Sequence, residues 1–427
     1  MNNPIRQQAI DILKANDRGG FTIPSPRLYP YQWNWDSVFA ALGLAAFDND
    51  RAWQELETLF EAQWADGMVP HIVFRQNDPD YFPGPDVWQS GTTLPTSGHS
   101  QPPVAASVAW TLAKSGTDAD LERASALFPK LFAFNKWFHD MRDPDRTGLV
   151  GVIHPWETGR DNCPDWDIGM AHITVPDDLD AYQRRDTDHV SADERPSAEH
   201  YDRFLTIVKF GRECGWDHRH IVTHGPFFMA DPGVQFILMR ADRDLLSLAE
   251  RLGAKEKIVE IEAWIARSST GVQGLWNDEV GSFCAKDLRT GEFSDGVTNA
   301  SMLAFYADAG TADQQHRLAD HAREILKKVR YGLPSWDPRH SQFEAKRYWR
   351  GPVWAVMNYM IAEGLSDKGH DELSDRIKQD TLSLIAQSGF HEYFDPLTGD
   401  GLGGGQFSWT AAIQLAWSGT GQTSQAA

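Results

Sequence analysis

Residues 154–166 read His-Pro-Trp-Glu-Thr-Gly-Arg-Asp-Asn-Cys-Pro-Asp-Trp and place Glu157, Asp161 and Asp165 within nine positions, with Asp167 just beyond. Trp156 and Trp166 lie among them, and no helical or strand periodicity runs through the stretch. A plain solvated turn seldom uses two tryptophans. Aromatic faces beside carboxylates suit a site that stacks on the C–H face of a sugar and moves a proton. Cleaving a glycosidic bond takes two carboxyl groups, one to protonate the leaving oxygen and one to activate water or attack the sugar. The second candidate is Glu392, in His391-Glu392-Tyr393-Phe394-Asp395-Pro396, ahead of the glycine run 401–405. Composition and spacing rank neither Asp161 over Glu157 nor Glu392 over Asp395.

Other segments share this mixture of aromatic and polar residues: Tyr29 to Asp36, Tyr81 to Gln101, Tyr348 to Trp354 and His391 to Trp409. Trp33, Trp35 and Asp36 have the types needed to clamp one hexose. Weaker patterns read as structural. His218, His220 and His224 match no metal-ligand spacing. Asp143-Pro144-Asp145-Arg146-Thr147-Gly148 lacks the bidentate glutamate of a calcium loop and reads as a turn. No glycine-rich phosphate loop stands between a strand and a helix.

The elements that must position these residues are helices. Apolar spacing predicts them at Ile5–Ala15, Trp35–Ala46, a helix capped by Asn49 with a Trp53/Leu56/Phe60/Trp64 stripe, Pro103–Lys114 and Asp118–Asp140. Further helices are expected at 198–214, 232–252 (Asp231 as cap, Pro232 in the first turn), 255–268, 297–309, 312–329, Trp349–Gly364, Asp371–Gln387 and Phe407–Gly419. Residues 281–285 read as a strand, 66–102 as a long functional loop, and Ser418–Ala427 as frayed. Apolar helices alternate with amphipathic ones. That pattern predicts an all-α toroid of two concentric rings in one domain, 1–427, with long active-site loops; a two-domain helical array is the alternative.

The chain carries 60 acidic against 40 basic residues, a net charge of −20. Such a chain repels nucleic acid and anionic membranes, and neither is expected as a partner. The first residues lack a signal-peptide core, and no window has the length and apolarity of a membrane span. Three scattered cysteines point to a reducing compartment, hence to the cytoplasm. No metal or other cofactor is implied. The sequence accommodates a homo-oligomer and does not fix the oligomeric state.

Trp156-Glu157-Thr158-Gly159-Arg160-Asp161-Asn162, with Pro164 and Trp166, resembles the general-acid loop of glycoside hydrolase family 63, in the trehalase-like clan. Tyr348-Trp349-Arg350-Gly351-Pro352-Val353-Trp354 and the Glu392 segment resemble its other signatures, in the same order across nearly the whole chain. The likeness is greatest to the short bacterial members that hydrolyse mannosylglycerate and glucosylglycerate. The resemblance implies an (α/α)6 barrel and an inverting mechanism, with Asp161 as general acid and Glu392 as general base. It implies hexose contacts from Tyr29, Trp33, Trp35 and Asp36, and a pocket further lined by Tyr81, Gln101, Trp349, Trp354 and Gln406. Arg195, Tyr201 and Tyr348 match the group that holds a glycerate carboxylate, for which a planar guanidinium is apt. The expected carboxyl separation is about 6.5–9.5 Å, enough for a water. Alternatives are a trehalase-like hydrolase of neutral disaccharides, a sugar epimerase on an α/α barrel, or a noncatalytic sugar binder. Epimerases on such barrels usually transfer protons through histidines, and here the carboxylate loops are better developed.

Overall fold

The computed structural model describes residues 4–78, 80–188 and 190–419. Twelve helices among these residues build the frame: α1 (Pro4–Asn16), α2 (Asn34–Leu44), α3 (Asn49–Leu59), α4 (Ala105–Lys114), α5 (Asp118–Trp137), α6 (Pro232–Leu252), α7 (Lys255–Gly271), α8 (Asn299–Tyr306), α9 (Ala312–Leu326), α10 (Ala355–Asp367), α11 (Asp371–Ser388) and α12 (Ser408–Gly419). The even-numbered helices form the inner ring. Each packs on the next, and α12 packs back against α2. The odd-numbered helices form the outer ring, each lying against an inner neighbour. This is the (α/α)6 barrel.

The alternation read in the sequence is the cause. Every residue of α2 and of α8 is buried, as suits helices covered on all sides. In α9 only Gln314, Leu318, Ala319, Ala322, Ile325 and Leu326 are buried, one stripe of an otherwise wet helix. Polar caps fix the joints. Asp231 accepts from the Gly233 and Val234 amides at the start of α6, with Pro232 in the first turn. Thr117 and Asp120 form a capping box on α5, and Asp120 also accepts from Trp53 Nε1 at 2.8 Å, tying α3 to α5.

Several boundaries differ from the sequence reading. The cap of α3 is Asp48, whose carboxylate accepts from Arg51 N; Asn49 instead donates to Asp120. α5 ends at Trp137 and continues as a π-helical turn, Phe138–Arg142, that turns Arg142 inward. α10 begins at Ala355, not Trp349. Trp349 has φ +59°, and Pro352 disfavours helix at the residue before it. Glu392 lies on a strand, not in a loop: His391–Phe394 pairs antiparallel with Gly401–Gly405. Residues 282–283 do form a strand, against Trp276–Asn277. An unpredicted helix spans His218–His224. Ser418 and Gly419 belong to α12, and the rest of the stretch expected to fray lies outside the described residues. No helix among the described residues is long and apolar enough to cross a membrane.

The ring closes tightly at α2 and α12. A Cβ added to Gly43 would lie 2.4 Å from the Cα of Ala412. Gly43→Ala, which favours most helices, should therefore destabilise here by about 1–3 kcal/mol through overpacking. Thermal unfolding measures it, and an unchanged or raised midpoint would refute the close seam.

Candidate active site

The candidate residues gather around the N-terminal ends of the inner helices. The lead-in to α2 is laced to the long loop before α4: Trp33 pairs with Ile72, and Asn34 N donates to the His71 carbonyl at 3.0 Å. This places Trp35 and Asp36, both buried, in the first turn of α2. Asp161 lies between α5 and α6. Glu392 lies between α11 and α12.

The Asp161 stretch is not a surface loop. Residues 155–160 and 162–166 are all buried, and charged pairs anchor them. Glu157 accepts from Arg142 Nη2 at 2.7 Å and Nε at 3.1 Å, and from the Ser100 and Ile153 amides. Both side chains are fully buried, and Arg142 stacks on Trp137 at 4.4 Å. Arg160 reaches Asp165 at 2.9 Å and Asp231 at 2.7 Å, with Cys163 Sγ at 3.2 Å from its Nη1. Asn162 donates to the Tyr348 carbonyl at 3.1 Å. Gly159 (φ +69°) lies against Trp35, where a Cβ would come 2.6 Å from the indole. Asp161 is thus held on both sides, while no other side chain donates to it among the described hydrogen bonds.

A cavity of about 420 Å³ opens beside Asp161. Tyr29, Trp33, Tyr81, Arg195, Tyr201 and Tyr348, all singled out in the sequence, line it. Glu392 lies directly behind, where the Tyr29 and Tyr348 hydroxyls donate to its Oε1 at 2.9 and 3.1 Å and Gly404 N to its Oε2 at 3.3 Å. Trp349 stacks face to face on Trp354 at 3.7 Å and lies 6.4 Å from Trp35. Trp354 backs Trp349 and stacks on Tyr393; it is fully buried and does not line the cavity.

Trp35, Asp36 and Trp349 are likewise buried behind the lining residues, and two further expected contacts are absent from the lining. Gln101 Oε1 accepts from Trp35 N at 3.2 Å, so this side chain serves the first turn of α2 and is not among the lining residues. Gln406 is exposed at φ +51°, and its carbonyl accepts from Asn16 on α1. The sequence reading does not single out His71, Trp88, Trp156 or Asp186 as pocket residues, and all four line the cavity. Trp156 belongs to the opening motif and His71 to the long loop, so position is the available signal. Asp186 stands in a polar loop that carries none. His218 packs edge-on against Trp64 and Trp137, and Asp143 closes its turn on the Thr147 and Gly148 amides.

The carboxyls face different surroundings. Burial, then the charge of Glu392, raises Asp161 to about 7 against the pull of Arg195. Burial also raises Glu392, but Arg195, Tyr29, Gly404 and Tyr348 all oppose it. Asp36 is pushed well above the usual carboxylate range by burial, then by Glu392 and Asp161. One carboxyl raised by burial with no side-chain donor, beside another supported by several donors, is the kind of contrast that acid/base chemistry requires. Arg195 joins them. It donates Nε to Asp186 at 3.1 Å and Nη2 to Tyr29 at 3.2 Å, covers the Tyr348 ring at 4.1 Å, and holds Nη1 3.9 Å from Glu392 Oε2.

Known proteins share this framework. Residues 29–410 match the mannosylglycerate hydrolase MGH1-like glycoside hydrolase domain. The mannosylglycerate hydrolase of Thermus thermophilus is 47% identical over 415 residues, covering 96% of this chain and 99% of that one. The glucosylglycerate hydrolase of Mycolicibacterium hassiacum is 32% identical over 437 residues, covering 96% and 97%. The crystal structure of a family 63 mannosylglycerate hydrolase from Thermus thermophilus in complex with Tris and D-glycerate superposes with a TM-score of 0.94 at 47% identity, covering 97% of this chain and all of that one.

An acid that must carry its proton loses function as pH rises through its pKa. kcat/KM should therefore fall on the alkaline side of about pH 7; a rate that stays flat well above that pH would remove Asp161 from the acid role. Glu157→Gln would leave Arg142 buried beside a neutral partner, at a cost of about 3–5 kcal/mol. Denaturant unfolding would show it, and a wild-type midpoint would contradict the anchoring role.

Proposed function

Because the chain belongs to the mannosylglycerate hydrolase MGH1-like family of glycoside hydrolases, we propose that it hydrolyses a small glycosylglycerate, glucosylglycerate or mannosylglycerate, with inversion at the anomeric carbon. The whole chain, 1–427, acts as one catalytic domain. The observation that carries the reading is a buried arginine that lines the cavity with Asp161 and lies 3.9 Å from Glu392 just behind it, two carboxyls of unlike surroundings. A neutral disaccharide has no use for Arg195; an anionic aglycone does.

The hexose lies in the cavity beside Asp161 and Trp33, with Trp35, Asp36 and Trp349 as the buried residues next to it. Asp161 gives its proton to the glycosidic oxygen as the bond from that oxygen to the anomeric carbon breaks. A water oxygen bonds to the opposite face of that carbon while one of its protons passes to Glu392. Hexose and glycerate are released, and the proton returns from Glu392 to Asp161 through solvent. Arg195 holds the glycerate carboxylate, with Tyr201 and Tyr348 beside it. We place the protein in the cytoplasm, a reading supported by cysteines that are all unpaired among the described residues.

Three measurements test this reading. A panel of mannosylglycerate, glucosylglycerate, trehalose and free mannose should show turnover of a glycerate glycoside; cleavage of trehalose alone would overturn it. A product NMR time course should show the inverted anomer first, and retention would refute the mechanism. Asp161→Asn should abolish turnover while leaving binding, and near-normal rates would exclude the assigned role.

A further inference from the structure

Arg195 is placed unusually for a residue that only grips an aglycone. Its Nη1 lies 3.9 Å from Oε2 of Glu392 and meets no acceptor at hydrogen-bonding distance among the described residues. Tyr29 physically links the two, accepting from Arg195 Nη2 at 3.2 Å while donating to Glu392 Oε1 at 2.9 Å. Building on the glycosylglycerate reading, we propose that the carboxylate of an anionic aglycone, by pairing with Arg195, releases Glu392 to act as a base, so that Arg195 couples aglycone recognition to catalysis itself. Arg195 is then a specificity-determining residue for turnover, not only for binding.

The other charges around it do not supply this neutralisation. Asp186 faces Arg195 through Nε, but it is shared with Arg184, which holds it at 3.0 and 2.6 Å. Glu194 lies near Arg195 and Lys346. Tyr29 and Tyr348 face both Arg195 and Glu392 as hydroxyls that burial keeps protonated, and Tyr393 is a third buried phenol beside them. Across the site stand Asp36 and Asp161, both raised by burial and by Glu392. Arg195 is thus the positive charge that pulls on both Asp161 and Glu392, lowering the proton affinity of each.

A carboxylate that pairs with the Arg195 guanidinium from the cavity cancels that pull, so Glu392 becomes a stronger base. Asp161, relieved of the same cation, keeps its proton to higher pH. One ion pair thus strengthens the base and keeps the acid in its protonated form to higher pH. A neutral aglycone leaves Arg195 directed at Glu392, with the base weaker and Asp161 ionised at lower pH. Discrimination should then appear in kcat as well as in KM, which simple binding selectivity would not produce.

The test uses two glycosides of one hexose, one with glycerate and one with glycerol as aglycone, so that a carboxylate is exchanged for a hydroxymethyl group. At saturation, both limbs of the kcat–pH profile should lie higher for the glycerate glycoside, by on the order of one pH unit. Arg195→Gln should bring the two profiles together, and Arg195→Lys should keep part of the separation. Profiles that superimpose in the wild type, with the substrates differing in KM alone, would overturn the coupling. A second readout needs no turnover: titration calorimetry of D-glycerate near pH 7, in buffers of different ionisation enthalpy, should show proton uptake on binding. Binding without uptake would overturn the coupling while leaving the substrate assignment standing. Failure to turn over any glycerate glycoside would overturn that assignment instead.

Discussion

The active centre depends on two buried ionic anchors, Arg142 with Glu157 and Arg160 with Asp165 and Asp231. Both flank Asp161 in sequence, and both connect the stretch to the barrel. The π-helical turn after α5 supplies Arg142; the cap of α6 supplies Asp231. Burying such charges is unfavourable unless every partner is present and well aligned. Here the geometry is bidentate for Glu157, and backbone amides complete its acceptors. A stretch rich in charge can therefore run through the interior as a rigid segment. Asp161 alone among the carboxyls of this stretch is left without a side-chain donor, so burial raises it with only the charge of Arg195 and a backbone contact opposing.

The carboxyl opposite is built by other means. Glu392 stands on a short strand whose partner is the glycine run, so a backbone amide reaches its carboxylate directly. Two phenols and one guanidinium finish its surroundings. Two carboxyls, both buried, thus differ in their surroundings: side-chain donors support Glu392 and none supports Asp161.

Much of this is readable in the sequence. The alternation of apolar and amphipathic helices reports directly on inner and outer rings, since burial on all faces demands a different composition from burial on one. Asp161, Glu392, Arg195 and the tyrosines around them sit in segments whose residue types suit the chemistry. Composition alone, however, cannot rank Asp161 over Glu157, because the difference lies in Arg142, a residue whose approach depends on a π turn that periodicity does not announce. Gln101 resembles a sugar contact for a related reason: an amide suits a hydroxyl and a backbone amide equally well. The start of α10 escapes the sequence because the apolar pattern runs on through Trp349 and Trp354, while the left-handed backbone at Trp349 and the proline at 352 forbid the helix.

The hairpin bearing Glu392 has a consequence for how activity arises during synthesis. It joins the last two helices of the ring, and its neighbour Trp409, on α12, donates to the Glu392 carbonyl. Asp161 belongs to a part of the chain made much earlier. A growing polypeptide that has completed the first half of the barrel holds Asp161 with no Glu392 opposite it. Only when α12 docks between α10 and α2 does the pocket gain its second half. On the proposed roles, a chain that stops before this hairpin carries the acid without the base, and should not turn over substrate.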